Sequence, residues 1–475
     1  MTSAIAIPET DPTRDYGAKI AAVEPGGVEV IPLDERHGTP IQLLWTWISP
    51  NMEFATVAVG ILGVLAFQQS FWHATLAIVL GTALGSLSHG ILSSWGPRDG
   101  LCQMVLSRTG FGFLGNLLPA GLNALTAGIG WFAVNSISGA LALHTLFGGL
   151  PKELCLIIVV AVQLVVAFFG HNLVHAFERY AFPVLTVIFV LACIMVLSKA
   201  HPGNAPMASP ATNGTGGFLI TLGAAFGYAA GWNPYASDYT RYLPPTTNRF
   251  RVGLFAGLGV FASCVLLEVA GAAAVSGDLA TSPALLGTTP AAFTGLMPTW
   301  LGKLTLLAIC LGAIAANVLN VYSGAMSFMA LGLRLPLRAA RAMVAVVFGI
   351  IGLIVASPVI GQKDPGSTYE NFLLVIAYWI APWLAVVFVD RWLRRGHDTA
   401  LLAESTTYRN WAGPIAMLVG AVVSIWLFSN QVKYLAPIPK AHPNVGDLTA
   451  EVGFVISGVL YFILYKVMRQ DKVTA

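Results

Sequence analysis

Charge is what this chain has least of. Asp, Glu, Lys and Arg make up 10% of its 475 residues, 56% are hydrophobic, and mean hydropathy is +0.74. A soluble domain carries about a quarter charged residues, so this composition excludes an ordinary soluble fold. The net charge of +3 supplies no basic surface for nucleic acid. Cysteine is nearly as scarce: Cys102, Cys155, Cys193, Cys264 and Cys310 share no metal or redox spacing and read as small packing residues. No phosphate-binding glycine loop, paired catalytic acids or nucleophile elbow occurs. Neither an enzyme nor a bound cofactor or metal is expected. The first 42 residues are polar and lack the apolar run of a signal peptide. They read as a disordered cytoplasmic tail.

What the chain has instead is long apolar runs. A bilayer-spanning helix needs about 20 such residues. Runs of that kind fall near 43–67, 73–95, 113–147, 154–170, 180–198, 218–239, 252–275, 303–331, 341–360, 371–390, 411–429 and 451–468. Twelve spans place both termini on one side. With that side cytoplasmic, 19 of the 25 Lys and Arg residues lie inside, including every arginine. Only Lys152, Lys199, Lys303, Lys363, Lys433 and Lys440 face out, as the positive-inside rule requires. An all-α membrane protein with about twelve transmembrane helices follows, in an inner or plasma membrane, with residues 469–475 as a cytoplasmic tail.

Two of the runs are broken by helix-incompatible residues. The first contains Ser49-Pro50-Asn51 and the sixth Gly231-Trp232-Asn233-Pro234. Proline removes a backbone donor and clashes with the preceding turn. In lipid such a break is tolerated only where protein covers it or it lines a cavity. Pro50 and Pro234 are 184 residues apart, and Asn135 and Asn320 in the third and eighth runs are 185 apart. That register predicts a five-span repeat, 43–198 and 218–390, with 411–468 outside it. An odd repeat must place its copies in opposite orientations, and the site of such transporters lies where the copies meet.

Polar residues inside spans usually face the bundle interior. Trp131 and Asn135, four apart, share a helix face, and Trp232 sits at the second break. Two indoles with an amide between them suit a planar, polar, uncharged ring. The blander alternative is an indole in the core and an amide bonding a neighbouring helix. Asn317 and Asn320 share a face of the eighth span, as ligand groups or as interhelical glue. Glu53, with Phe54 and Thr56 just past the first break, and Glu268 are carboxylates within spans. Each is a candidate proton-coupling group or a cap for exposed backbone, with capping preferred for Glu268. His171 and His175 lie beside an inner loop with Glu178 and Arg179 and read as surface residues. Gly81 with Gly85 and Gly253 with Gly257 suggest close helix packing.

The stretches Trp47-Ile48-Ser49-Pro50-Asn51, Gly130-Trp131-Phe132, Gly231-Trp232-Asn233-Pro234-Tyr235-Ala236-Ser237-Asp238-Tyr239-Thr240-Arg241-Tyr242 and Ala316-Asn317-Val318-Leu319-Asn320 resemble the purine–cytosine permeases of the nucleobase–cation symporter-1 family. The resemblance implies a leucine-transporter-like fold, a five-plus-five inverted repeat with two further C-terminal helices, working by alternating access. It implies that Trp131 and Trp232 stack on a nucleobase while Asn135 and Asn320 bond its edge, with Thr56, Phe54, Gly231 and Asn317 near the site. In sodium-coupled members a cation sits between first-span carbonyls, here those of about Asn51 and Phe54, and eighth-span hydroxyls. The matching positions here are Ala315 and Ala316, which lack those hydroxyls, so the chain leans toward proton symport through Glu53. The expectation is an importer of cytosine or a purine base, co-transporting a proton. The alternatives are a sodium-coupled importer of hydantoin, allantoin, uracil, thiamine or pyridoxine and, further off, a channel.

Overall fold

The computed structural model describes residues 27–169, 171–200, 214–276, 289–332, 337–360, 366–395 and 399–470. The first apolar run is a bent pair, α1 (Gln42–Ile48) and α2 (Phe54–Leu65), turned by 61° about a single 3-10 turn at Ser49–Asn51. The second is α3 (Phe71–Ser93). The third is one long span over Leu117–Leu146, though not one uniform helix. It divides into α4 (Leu117–Leu125), a π-helical stretch (Thr126–Trp131) and α5 (Phe132–Leu146). Such bulges recur at functional sites, and this one ends on Trp131. The chain continues through α6 (Lys152–Phe169), α7 (His171–Leu197) and α8 (Thr215–Ala230). Then come α9 (Arg249–Ala274), α10 (Thr299–Ala330), α11 (Leu337–Ile360), α12 (Gly366–Leu393), α13 (Ala412–Phe428) and α14 (Thr449–Val467).

Among the described residues, seven helices are each long and apolar enough to cross a membrane, eight with the bent pair. Helices α6, α8, α11 and α13 account for the other runs. The sixth span stops being helical at Ala230. Beyond it lie only a 3-10 turn at Asn233–Tyr235 and further turns through Tyr242, because Pro234 cannot extend a helix. Apolar side chains such as Leu76, Leu80, Leu84 and Leu87 are exposed along one stripe of α3. Their four- and three-residue spacing puts a greasy face toward lipid.

The core is assembled by backbone-to-backbone crossings. A Cβ on Gly60 of α2 would lie 1.6 Å from the carbonyl oxygen of Glu268, and one on Gly271 of α9 would lie 2.0 Å from that of Val57. The two helices touch through missing side chains. Gly81 and Gly85 abut α8, while Gly253 and Gly257 abut α3 near Gly90 and Ser86, so the small-residue spacings mark close crossings as expected. Helices α13 and α14 pack on each other and on α12.

Three expectations are corrected by position. Residues 1–26 lie outside the described residues, but the rest of the predicted tail packs against the bundle. Ile31 and Glu35 are buried, Arg36 Nη1 donates to the Pro97 carbonyl at 2.7 Å, and the His37 amide donates to the Tyr242 carbonyl at 2.6 Å. His175 is not on a loop: it stands in the first turns of α7, bonded to Thr46 of α1 at 3.1 Å. His171 also begins α7. Glu178, on the same helix, is fully buried. The run-counting missed nine residues of α7, because His, Asn, Glu and Arg lower the hydropathy of its start.

Because Gly60 and Gly271 meet backbone rather than a movable side chain, Gly60→Ala and Gly271→Ala should each destabilise the protein by at least ~1–3 kcal/mol. Gly149, with nothing within 4 Å of its would-be Cβ, is the control. Thermal unfolding in detergent should show lowered midpoints for the first two and an unchanged one for Gly149→Ala. Unchanged midpoints throughout would contradict the crossing.

Candidate substrate site

The site begins with one amide. A chain broken at Pro50 leaves backbone groups that lipid cannot satisfy, and Asn51 organises the replacement partners. Its Nδ2 donates to the Trp47 carbonyl at 2.7 Å. Its Oδ1 accepts from the Trp232 indole N–H at 2.9 Å, so the first break grips the second. Its own carbonyl accepts from the Glu53 amide at 2.9 Å and from the Thr56 hydroxyl at 2.6 Å. That hydroxyl has a single proton. The Tyr228 hydroxyl, 2.5 Å from Thr56 Oγ1, must therefore donate to it. The link continues from α2 to α8 and ends at the Tyr228 ring, which meets Trp131 edge-on at 5.4 Å.

A second network is built across α5 and α10. Asn317 Oδ1 accepts from Asn135 Nδ2 at 3.0 Å and from Asn320 Nδ2 at 3.1 Å. Asn317 Nδ2 donates to the Phe132 carbonyl at 2.9 Å and to Ser136 Oγ at 3.0 Å. Ser136 in turn reaches Gln163 of α6. Asn317 is thus fully engaged and stands one layer behind the wall. It turns donors of Asn135 and Asn320 toward itself, and the side-chain oxygen of Asn320 is buried without a partner. A buried acceptor left unpaired costs about 1–3 kcal/mol, an arrangement that favours an arriving N–H.

Between the networks lies a narrow cavity, with room for about one water, lined by Trp131, Asn135, Tyr228, Trp232, Ala316 and Asn320. Both indoles are held by their edges. Trp131 packs against Phe372 at 5.0 Å, and Trp232 against Trp47 and Tyr235, each at 5.7 Å. Gly231 makes room for this, since a Cβ there would stand 2.9 Å from Trp131 Cζ2.

The structure gathers Trp131, Asn135, Trp232 and Asn320 on one cavity, with Thr56, Gly231 and Asn317 directly behind them. Phe54 departs from expectation: it faces a separate, larger apolar cavity of about 800 Å³, with Ala58, Ser138, Tyr369 and Phe372 on its wall. Ala316, matched by sequence to a cation ligand, lines the substrate cavity instead, and Ala315 is a buried methyl. Phe54, as the first residue of α2, has a carbonyl already in the helical ladder. The Asn51 carbonyl holds two hydrogen bonds. This donor set is therefore a poor fit for sodium. Glu53 is fully buried; one oxygen accepts from Ser138 Oγ at 3.0 Å and the other has no partner. Glu268 is likewise buried, bonded to Thr82 at 2.9 Å. Tyr228 was missed, although it sits four residues before Trp232 and is the one tyrosine of α8.

Two broken spans that meet over an aromatic cavity inside a helical bundle define a membrane transporter of the inverted-repeat class. Residues 30–453 match the family described as permeases for cytosine/purines, uracil, thiamine and allantoin, and the chain belongs to that family. The purine-cytosine permease fcyB of Emericella nidulans is 30% identical over 93% of this chain and 88% of its own length. The putative purine-cytosine permease YxlA of Bacillus subtilis is 28% identical over 94% of this chain and 96% of its own. Among solved structures, Mhp1, a nucleobase-cation-symport-1 family transporter in a closed conformation with bromovinylhydantoin bound, has a TM-score of 0.72 at 18% identity. The match covers 94% of this chain and 96% of Mhp1. Its inward-facing conformation gives 0.69. The shared fold is the leucine-transporter-like one.

Replacing Asn317 by Ala removes the acceptor for two amides, each worth about 1–3 kcal/mol when stranded. The expected outcome is a clear drop in the unfolding midpoint of the ligand-free protein. Asn320→Ala should lower it less, because its oxygen has no partner to lose. Equal, small effects would mean that Asn317 is not the hub.

Proposed function

We propose that this protein is a secondary transporter that imports cytosine or a purine base together with a proton, by alternating access. The observation that carries the reading is the cavity at the junction of the two breaks. Indoles from two different spans wall it, and so does Asn320, whose side-chain oxygen has no partner. Indole faces favour a flat heteroaromatic ring. The Asn320 oxygen favours a ring N–H or an exocyclic amine, which cytosine and the purines carry. The names of the relatives, purine-cytosine permeases, agree with this choice. The arginine asymmetry supports cytoplasmic termini in an inner or plasma membrane.

Proton rather than sodium coupling is favoured by the donor count. A sodium ion needs several free oxygens, whereas the first-span carbonyls here are engaged and the eighth-span positions are Ala315 and Ala316. A proton needs one titratable group, and Glu53 at the start of α2 has an unpartnered oxygen beside the hinge.

Stacking on an aromatic side chain is worth ~1–3 kcal/mol per base, so Trp131→Ala and Trp232→Ala should each weaken base binding by roughly ten- to a hundredfold, while Phe at either position keeps much of it. Normal affinity in both folded alanine variants would refute the stacking model. Uptake should rise as external pH falls, collapse with a protonophore, and be indifferent to replacement of sodium by choline. Glu53→Gln should abolish accumulation while sparing binding. Strictly sodium-dependent, pH-insensitive uptake would overturn the coupling.

A further inference from the structure

On the other side of the first break from Glu53 lies a second buried carboxyl that no sequence expectation used. Glu178 of α7 bonds Ser49 through one oxygen, and its other oxygen is buried with no partner. The same Ser49 Oγ lies 3.0 Å from the Trp45 carbonyl. A serine hydroxyl has one proton and a carbonyl has none to give. The single Ser49 proton has two acceptors within reach, the Trp45 carbonyl and Glu178; whenever it goes to Trp45, the proton between Ser49 and Glu178 must come from the carboxyl. Glu178 is then a neutral acid donating to Ser49, which suits its burial among apolar helices.

The position connects this proton to both ends of the transport path. Ser49 opens the 3-10 turn whose last residue, Asn51, holds the Trp232 indole. Any rotation of α1 away from α7 breaks the Ser49–Glu178 contact and disturbs the cavity wall in the same movement. On the other side, one helical turn back, His175 lines a cavity of about 380 Å³ with His37, Thr39, Gln42, Tyr239 and Tyr242. Glu178 itself does not line that cavity; His175, three residues before it on the same helix, does.

The neighbouring groups leave the role to Glu178. Residues 42–51, α1 and the break, contain no titratable side chain. On α7 itself His175 is bonded to Thr46 and Arg179 is exposed. Lys152, Glu153 and Cys155 on α6, Arg249, Arg251, Cys264 and Glu268 on α9, and Lys303, Cys310 and Tyr322 on α10 complete the titratable groups of the helices packed against α7.

We infer that Glu178 is a proton-carrying latch between the first and fifth spans: protonated, it ties α1 to α7 through Ser49, and it gives its proton to the His175-lined cavity as α1 swings away. The inference rests on the proton-symport reading and adds a second carrier to it. The test uses the full chain reconstituted in vesicles, with labelled cytosine and an imposed inward proton gradient. Glu178→Gln should cut gradient-driven accumulation by about tenfold or more, flatten its pH dependence, and retain exchange of external for internal cytosine. Ser49→Ala, which keeps the carboxyl but removes its partner, should shift the pH profile of uptake. Wild-type accumulation and pH profile in Glu178→Gln would overturn the inference, as would loss of exchange in a stably folded variant, which would make Glu178 a structural tie. If Glu178→Gln does not fold, Ser49→Ala decides, and an unmoved pH profile overturns it. An unmodified protein that ignores the proton gradient would instead refute proton symport itself.

Discussion

The hydrogen bond from the Trp232 indole to the Asn51 side chain ties together everything else in this molecule. Pro50 opens the first span in a medium that offers no water to satisfy the loose backbone. Pro234 does the same in the sixth span. Each break is dangerous alone. Placed against each other, they become mutual cover: Asn51 serves Trp47 on its own span and Trp232 on the other, and its carbonyl anchors Thr56 and, through it, Tyr228. The aromatic wall of the cavity is a by-product of repairing two broken helices.

That origin gives the site its mechanical character. Trp232 and Tyr228 are fixed to the breaks, whereas Trp131 ends the π-helical stretch that leads into α5, and Asn135 and Asn320 belong to α5 and α10, which the Asn317 hub locks to each other. The cavity therefore has two walls on two separately braced bodies. Movement of one against the other, as in rocking transporters, changes the ring-to-ring spacing and the exposure of the Asn320 oxygen together. The carboxyls Glu53 and Glu178 stand on either side of the first break, close to the residues that carry the cavity wall.

Much of this was legible in the sequence, and the exceptions have physical causes. Ser49-Pro50-Asn51 and Gly231-Trp232-Asn233-Pro234 marked both breaks, because proline cannot continue a helix, and Asn135 and Asn320 stood out as amides inside apolar runs. Trp131 stood out because it shares a helix face with Asn135, and Trp232 because it sits directly at the second break. Asn317 and Asn320 could not be told apart by spacing. Both share a face, and only the direction of each amide separates hub from wall. Phe54 and Thr56, two residues apart at the start of α2, point to different places: Thr56 bonds Tyr228 behind the cavity, and Phe54 lines the separate apolar one. Glu178 and Tyr228 were invisible for opposite reasons. A polar stretch at the start of α7 looked like a loop, and a tyrosine in a run of Ala and Gly looked like packing. The π-helical stretch before α5 has no hydropathy signature at all.

The central claim is that the cavity between the two breaks recognises a flat heterocycle by its faces and by its N–H edge. Competition of labelled cytosine uptake by a panel of bases tests it most directly. Adenine, guanine, hypoxanthine and cytosine should compete, and N-methylated analogues that lose the relevant donor should compete poorly while keeping the same ring. Equal competition by methylated and unmethylated rings, or none by any purine, would contradict the account.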